Sequence, residues 1–285
     1  NSKAGIESDY TVTQTAENEF FIVTGTAFSV HDFGWLEKMR RERSFDGVEI
    51  TNITKDLACF GLMGPKSRTI LQSLTDADLS HAAFPFMNSK EITVGDIKVR
   101  ATRLTYVGEL GWELYLPVAD GLALWEKIMA AGKAHGIKAC GYRAIESLRL
   151  EKGYRAWAGE INTETNPYEA GLGFAVSLKK DNFHGKAAAL AAQANLTRKL
   201  VAITFDDITC VPFGSEPIRI GEKIVGRIKS GGQGYTIKKA IAYAYLPIAQ
   251  TEVGTKVDVE FFGTWRSGVI CAEPLFDPTN ERIKA

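Results

Sequence analysis

Residues 105–114 read Thr105-Tyr106-Val107-Gly108-Glu109-Leu110-Gly111-Trp112-Glu113-Leu114. Two aromatic residues, two glycines and two glutamates fall within these positions. That density reads as a β-turn that brings Tyr106 and the Trp112–Glu113 pair to one rim. Strand-forming residues flank it: Ile92–Val94 and Ile97–Arg103 on one side, Trp112–Leu116 on the other. Further on, Asp120 is placed to cap a helix whose inward stripe is Leu122, Trp125, Ile128 and Met129. Arg143–Lys152 is the next helix, with Gly153 as its stop signal.

Toward the N-terminus, Tyr10–Thr15 alternates like a strand and Glu19–Thr24 forms a second, joined by a turn at Glu17-Asn18. Ser29 is the expected N-cap of a helix running to Arg43, with Val30, Phe33, Leu36 and Met39 on one face. The cations of the run Lys38–Arg43 suit the negative end of that helix's macrodipole. Val48–Thr54 and Leu57–Gly61 resume β character, and Gly64-Pro65 opens another helix. Strands and helices mixed with hairpins indicate α+β layers rather than a doubly wound parallel sheet.

From Leu200 the character changes. Short strands recur at Leu200–Phe205, Pro217–Ile220, Ile224–Ser230, Ala240–Tyr245, Val257–Phe262 and Arg266–Cys271. Gly214, Gly221, Gly231-Gly232, Gly254 and Gly263 supply the turns, a pattern that describes a small antiparallel barrel or sandwich. Leu190–Arg198 reads as the connector, the tail of a helix. The expected division is α+β lobes over residues 1–195 and a β-barrel over residues 196–285.

Composition narrows the function classes. The chain has 285 residues, with 34 lysines and arginines against 34 aspartates and glutamates. Zero net charge argues against a nucleic-acid binder. The four cysteines (Cys59, Cys140, Cys210, Cys271) are far apart and sit among apolar neighbours, as small buried hydrophobes do. They point to a reducing compartment, the cytoplasm or a mitochondrial matrix. The isolated histidines offer no metal-ligand spacing, so no metal is expected. No apolar stretch is long enough to span a bilayer. Asn1-Ser-Lys-Ala-Gly-Ile runs straight into strand-like sequence with no leader, as if the chain were entered midway through a fold. Gly171-Leu-Gly173 and Gly231-Gly232 lack the strand-before, helix-after context of a dinucleotide fingerprint, and there is no Walker lysine or GxSxG.

The segment Tyr106–Glu113 closely resembles the Y-x-G-E-x-G-[WF]-E motif of the glycine-cleavage T-protein (aminomethyltransferase) family. It is similar also to the folate domains of dimethylglycine and sarcosine dehydrogenases and oxidases. Gly5-Ile-Glu-Ser-Asp9-Tyr-Thr-Val resembles the family's strand with its essential aspartate. Ser147-Leu-Arg-Leu-Glu-Lys-Gly-Tyr154-Arg resembles its S-L-R-[LI]-E-x-G helix end, and Asn166–Gly173 the loop that follows. Gly226–Tyr235 and Pro274–Pro278 resemble its last barrel strands. Lys-Gly-Tyr-Arg and Ile-Glu-Ser-Asp lean toward the dimethylglycine and sarcosine branch.

The resemblance implies the aminomethyltransferase folate-binding fold, ferredoxin-like α/β lobes followed by a small antiparallel β-barrel, with tetrahydrofolate as cofactor. Glu113 would accept two coplanar N–H donors of the pterin, a charge-assisted bidentate contact. Tyr106 would pack against its ring. Thr11, two residues beyond Asp9 and on the same strand face, would add a hydroxyl, and Tyr154 is a further ligand contact. Asp9 would be the catalytic carboxylate, stabilising positive charge or taking a proton as the carbon unit moves.

The implied reaction takes a methylene or formaldehyde unit from a methylated amine or glycine derivative and forms 5,10-methylene-tetrahydrofolate. A flavin or other oxidising domain or subunit is the implied partner, with no nucleic acid and no membrane. The alternatives are a non-catalytic scaffold of the same fold, or an O- or S-demethylase forming 5-methyl-tetrahydrofolate.

Two departures stand out. The family's A-R-D-S-L-R-L reads Ala144-Ile145-Glu146-Ser147-Leu148-Arg149-Leu150 here, and Arg143 lies two residues before the expected arginine. About 200° of helix rotation separates those positions. The family also carries some tens of residues ahead of the Asp9 segment.

Overall fold

The computed structural model describes all 285 residues. They form two compact units: Tyr10–Cys140 with Thr279–Ala285, here the sheet unit, and Asn1–Asp9 with Gly141–Pro278, the barrel unit.

The sheet unit begins with a hairpin of β1 (Thr11–Ala16) and β2 (Glu19–Val23), closed at Glu17-Asn18. Helix α1 (Ser29–Glu42) follows. Ser29 is its first helical residue rather than its cap; Phe28 takes that place, and no side chain caps the end. The expected apolar face is also displaced, for Val30 is exposed and the one buried position is Asp32. The Asp32 carboxylate accepts the Thr24 hydroxyl and meets His31 Nδ1 at 2.9 Å, so polar partners dictate its burial.

Val48–Thr54 is not a strand. It finds no ladder partner, and an Asx turn forms in which the Thr54 N–H donates to Asn52 Oδ1 at 3.0 Å.

The main sheet comprises β3 (Leu57–Met63), β4 (Ser89–Val94), β5 (Ile97–Thr102) and β6 (Gly111–Pro117), in the antiparallel order β3-β6-β5-β4. Helices α2 (Ser67–Gln72) and α3 (Gly121–Gly132) contribute Ile70, Leu71, Leu124 and Ile128 to the core over one face. The buried stripe of α3 is Gly121, Leu124, Ile128 and Gly132, so the helix is rotated from the expected stripe and Leu122 stays 70% exposed. Trp112 lies at the centre of this core, edge-on to Phe84 with centroids 6.1 Å apart. The guanidiniums of Arg68 and Arg103 each stand 5.8 Å from its ring centroid.

The barrel unit holds helices α4 (Tyr142–Lys152) and α5 (Lys186–Ala194) and six strands: β7 (Arg198–Phe205), β8 (Pro217–Ile220), β9 (Lys223–Gly234), β10 (Lys239–Pro247), β11 (Lys256–Phe261) and β12 (Thr264–Cys271). They close in the order β10-β7-β12-β11-β8-β9, every pair antiparallel.

Period-two alternation divides the side chains cleanly. Val201, Ile203 and Phe205 with Ala240, Ala242, Ala244 and Leu246 fill the barrel. Leu200, Ala202, Ile241, Tyr243 and Tyr245 point outward and are covered by Leu150 of α4. That double burial explains why these strands read as continuous apolar runs.

Gly231-Gly232 is not a turn but lies inside β9. A Cβ on Gly231 would come within 2.5 Å of Pro212 and 2.7 Å of the Ile241 carbonyl oxygen, so close backbone approach explains that glycine. The chain thus has an α+β part and a closed six-stranded antiparallel barrel. No helix is long and apolar enough to cross a membrane.

Candidate functional site

On β6 the residues alternate between two faces. Trp112, Leu114 and Leu116 enter the core, while Glu113 and Tyr115 project from the opposite face. The expected common rim for Trp112 and Glu113 therefore does not exist: Trp112 is fully buried and Glu113 lies half-buried on the other side. The intervening stretch is a loop rather than one tight turn. Thr105 Oγ1 accepts the Val107 N–H at 3.1 Å, Gly108 takes a left-handed φ of 73°, and Glu109 pairs with Arg282 at 2.9 Å. Tyr106 sits half-buried in this loop.

The face that bears Glu113 is polar. Across the sheet Glu113 is opposite Gly61 of β3 and Thr102 of β5, and Tyr115 is opposite Cys59 and Arg100. The Tyr115 hydroxyl donates to Glu113 Oε2, leaving Oε1 to accept from elsewhere. The hydroxyls of Thr102 and Ser89 pair at 2.9 Å, and Arg100 is engaged by Glu91 at 2.6 Å.

Desolvation raises the Glu113 carboxyl above its ordinary pKa, and the bond from Tyr115 opposes that rise. Burial and the neighbouring carboxylate push the Tyr115 phenol upward. Partial burial and Glu113 push the Cys59 thiol up to about 12, although the residue keeps exposed surface. Cys59 and Cys140 are both exposed, against the expectation of buried cysteines, because edge strand and loop positions leave them uncovered; all four cysteines are free.

Thr11 opens β1 and shares a hairpin face with Thr13, Phe21 and Val23. Phe21 from that face meets Tyr115 edge-on at 5.1 Å. A contact chain therefore leads from the hairpin through Phe21 and Tyr115 to Glu113. Neither Phe21 nor Tyr115 was singled out from sequence, although Tyr115 follows Glu113 by two strand positions and period two places them together.

Asp9 and Tyr154 belong to the barrel unit. Asp9 is exposed and precedes β1, so it does not share a strand face with Thr11. Its segment is pinned three residues earlier. The Ile6 N–H donates to Asn162 O at 3.1 Å and to Thr165 O at 2.9 Å, and the Ile6 carbonyl accepts from Trp157 Nε1 at 3.0 Å. A Cβ on Gly5 would overlap the Thr163 carbonyl, which ties the segment's path to glycine. Tyr154 is half-buried, its phenol raised by desolvation and then by Asp277.

The Ser147–Arg155 motif anchors α4 to its surroundings within the barrel unit. Ser147 donates to the Gln233 carbonyl, and Glu151 accepts the Thr236 and Ile237 N–H groups at 2.7 and 3.0 Å. Lys152 pairs with Asp277 at 3.1 Å, and Arg155 reaches both Glu273 oxygens at 2.8 and 2.9 Å. Arg149 meets the fully buried Glu160 at 2.6 Å. Arg143 is exposed on the first turn of the helix.

Residues 1–180 match the family model of the GCVT N-terminal domain, and residues 198–277 that of the glycine cleavage T-protein C-terminal barrel domain. Mitochondrial dimethylglycine dehydrogenase of Homo sapiens is 42% identical over 286 residues, covering 99% of this chain and 33% of that protein. Mitochondrial sarcosine dehydrogenase of Mus musculus is 35% identical over 309 residues, with 100% and 33% coverage. The chain spans about a third of the length of these relatives. An aminomethyltransferase of Symbiobacterium thermophilum is 32% identical over 280 residues, with 97% of this chain and 74% of that protein covered. The crystal structure of glycine cleavage system aminomethyltransferase T from Bartonella henselae superposes with a TM-score of 0.84 at 28% identity, over 98% of this chain and 74% of that one. With both of its domains matched, this chain belongs to the glycine cleavage T-protein (aminomethyltransferase) family.

Proposed function

We propose that the chain carries the tetrahydrofolate-dependent half of a demethylating system, passing a one-carbon unit from an N-methylated amine or glycine derivative to form 5,10-methylene-tetrahydrofolate. The observation that supports it best is the half-buried Glu113 carboxylate, with one oxygen held by Tyr115 and the other left to accept. A polar sheet face with one partly desolvated carboxylate fits a pterin's adjacent N–H donors. Tetrahydrofolate, when bound, supplies the nitrogen atoms that receive the carbon.

In this reading Glu113 orients the pterin, Tyr106 packs against its ring, and Thr11 and Tyr154 add polar contacts. Asp9 stabilises positive charge at the arriving carbon and takes the proton released by the attacking nitrogen. The folate-binding lobes would be residues 1–195 and the barrel residues 196–285. The dehydrogenase relatives are named for dimethylglycine and sarcosine, and this chain spans about a third of each. A flavin or other oxidising domain or subunit is therefore the proposed source of the carbon unit, in a mitochondrial matrix or cytoplasm.

The test is Asp9→Asn, assayed for folate binding and for transfer of carbon from labelled formaldehyde to tetrahydrofolate. Retained binding with transfer reduced at least about 100-fold is expected on loss of a charge aimed at the transition state. Full transfer removes Asp9 from the mechanism.

A further inference from the structure

We infer that Tyr115 is the positioning residue of the Glu113 carboxylate, its hydroxyl fixing Oε2 so that Oε1 is presented to the pterin in one orientation. The inference rests on Glu113 being the pterin-binding carboxylate. Its geometry comes from the strand: positions i and i+2 share a face, so the phenol stands beside the carboxylate with only two side-chain torsions to fix. Tyr115 is itself held, 6% exposed and met edge-on by Phe21 of the hairpin.

The charges around this face come from three strands. Cys59 of β3 stays protonated at neutral pH, with its thiol up to about 12. Arg100 of β5 is engaged by Glu91 of β4. The hydroxyl of Thr102 is paired with Ser89. From the hairpin it is the apolar Phe21 that makes the contact. Tyr115 is the side chain that donates to Glu113, and the phenol, raised by burial and by the carboxylate, remains a donor at neutral pH.

The sign follows. Glu113 accepts pterin N–H groups when ionised, so binding is complete above its pKa and fades as pH falls through it. The Tyr115 bond lowers that pKa; its removal raises it and moves the acid limb of binding upward.

The experiment titrates the full chain and Tyr115→Phe with 5-formyltetrahydrofolate by calorimetry from acid to neutral pH, with Glu113→Gln as reference. A carboxyl ¹³C NMR titration of Glu113 is recorded without ligand. Tyr115→Phe keeps the ring and its Phe21 contact. Expected are about tenfold weaker binding at neutral pH, an acid midpoint about one pH unit higher, and the same upward shift in the NMR titration. Weaker binding with neither midpoint moved marks Tyr115 as merely structural and overturns the inference while leaving Glu113 in place. Unchanged binding by Glu113→Gln overturns the pterin reading itself, and this inference with it.

Discussion

Glu160→Ala removes the carboxylate at the centre of the α4 anchor. Glu160 is fully buried, and its Oε1 meets Arg149 Nη1 at 2.6 Å, where the arginine side chain is 2% exposed. Oε2 accepts the Ala156 N–H at 2.8 Å, and the Ser230 hydroxyl donates to Oε1. Burial works against the Arg149 charge, but Glu146 and Glu160 together hold its pKa above the ordinary value. The truncation leaves a desolvated guanidinium with Glu146 and the Tyr154 carbonyl, and strands one backbone N–H and one hydroxyl. Breaking a buried pair in this way costs about 3–5 kcal/mol. That is a large part of the roughly 5–15 kcal/mol that holds a domain folded, and corresponds to a fall on the order of 10 °C in Tm. Denaturation followed by fluorescence of Trp157 and Trp265 measures it. The double variant Arg149→Met with Glu160→Leu should recover at least half of the loss, since the apolar pair leaves no charge unpaired. A cost below about 1 kcal/mol for Glu160→Ala would refute the claim that this pair anchors the helix.

Gly231→Ala places a methyl against Pro212 and the Ile241 carbonyl, and the same denaturation assay should show a loss of about 1–3 kcal/mol; a neutral variant contradicts the close approach. Glu113→Gln should be at least as stable as the parent above neutral pH. The folded carboxyl is raised by desolvation, so its favourable contribution is complete below the unfolded value and is lost as pH rises through the folded one. The stability difference should vanish near pH 4, close to the ordinary glutamate pKa, and Tm measured at the two pH values decides it; a variant weakened only at the higher pH contradicts the assignment.

Much of the fold is written in local periodicity. Pro217–Ile220 is a strand with the expected limits, and Gly153, at φ 73°, ends α4 where a left-handed residue was needed. Strands β7 and β10 are legible because both faces are apolar, one toward the barrel and one toward α4, and β11 because its apolar residues alternate with polar ones. The failures have a common cause: they depend on partners remote in sequence. Val48–Thr54 has strand-like residues and no ladder. Gly231 resembles a turn residue until Pro212 is packed against it. Leu122 and Val30 looked inward by composition, but the packing of Leu124 and the polar demands of Asp32 set the helix rotations.

The candidate site divides in the same way. Glu113 is legible as a motif residue, whereas the phenol that holds it becomes evident only once β6 is seen as a strand and Phe21 arrives from the hairpin. The Ser147–Arg155 motif is legible as a family signature, but the anchoring work of Ser147, Arg149, Glu151, Lys152 and Arg155 depends on partners remote in sequence and becomes evident only in the fold.

Glu113 as the folate carboxylate is decided by one equilibrium titration: tetrahydrofolate, kept anaerobic, added to the full chain and to Glu113→Ala at neutral pH. Saturable binding by the parent and affinity about 100-fold lower in the variant, roughly 2.8 kcal/mol, is the expected result. Equal affinity in the two proteins would contradict it.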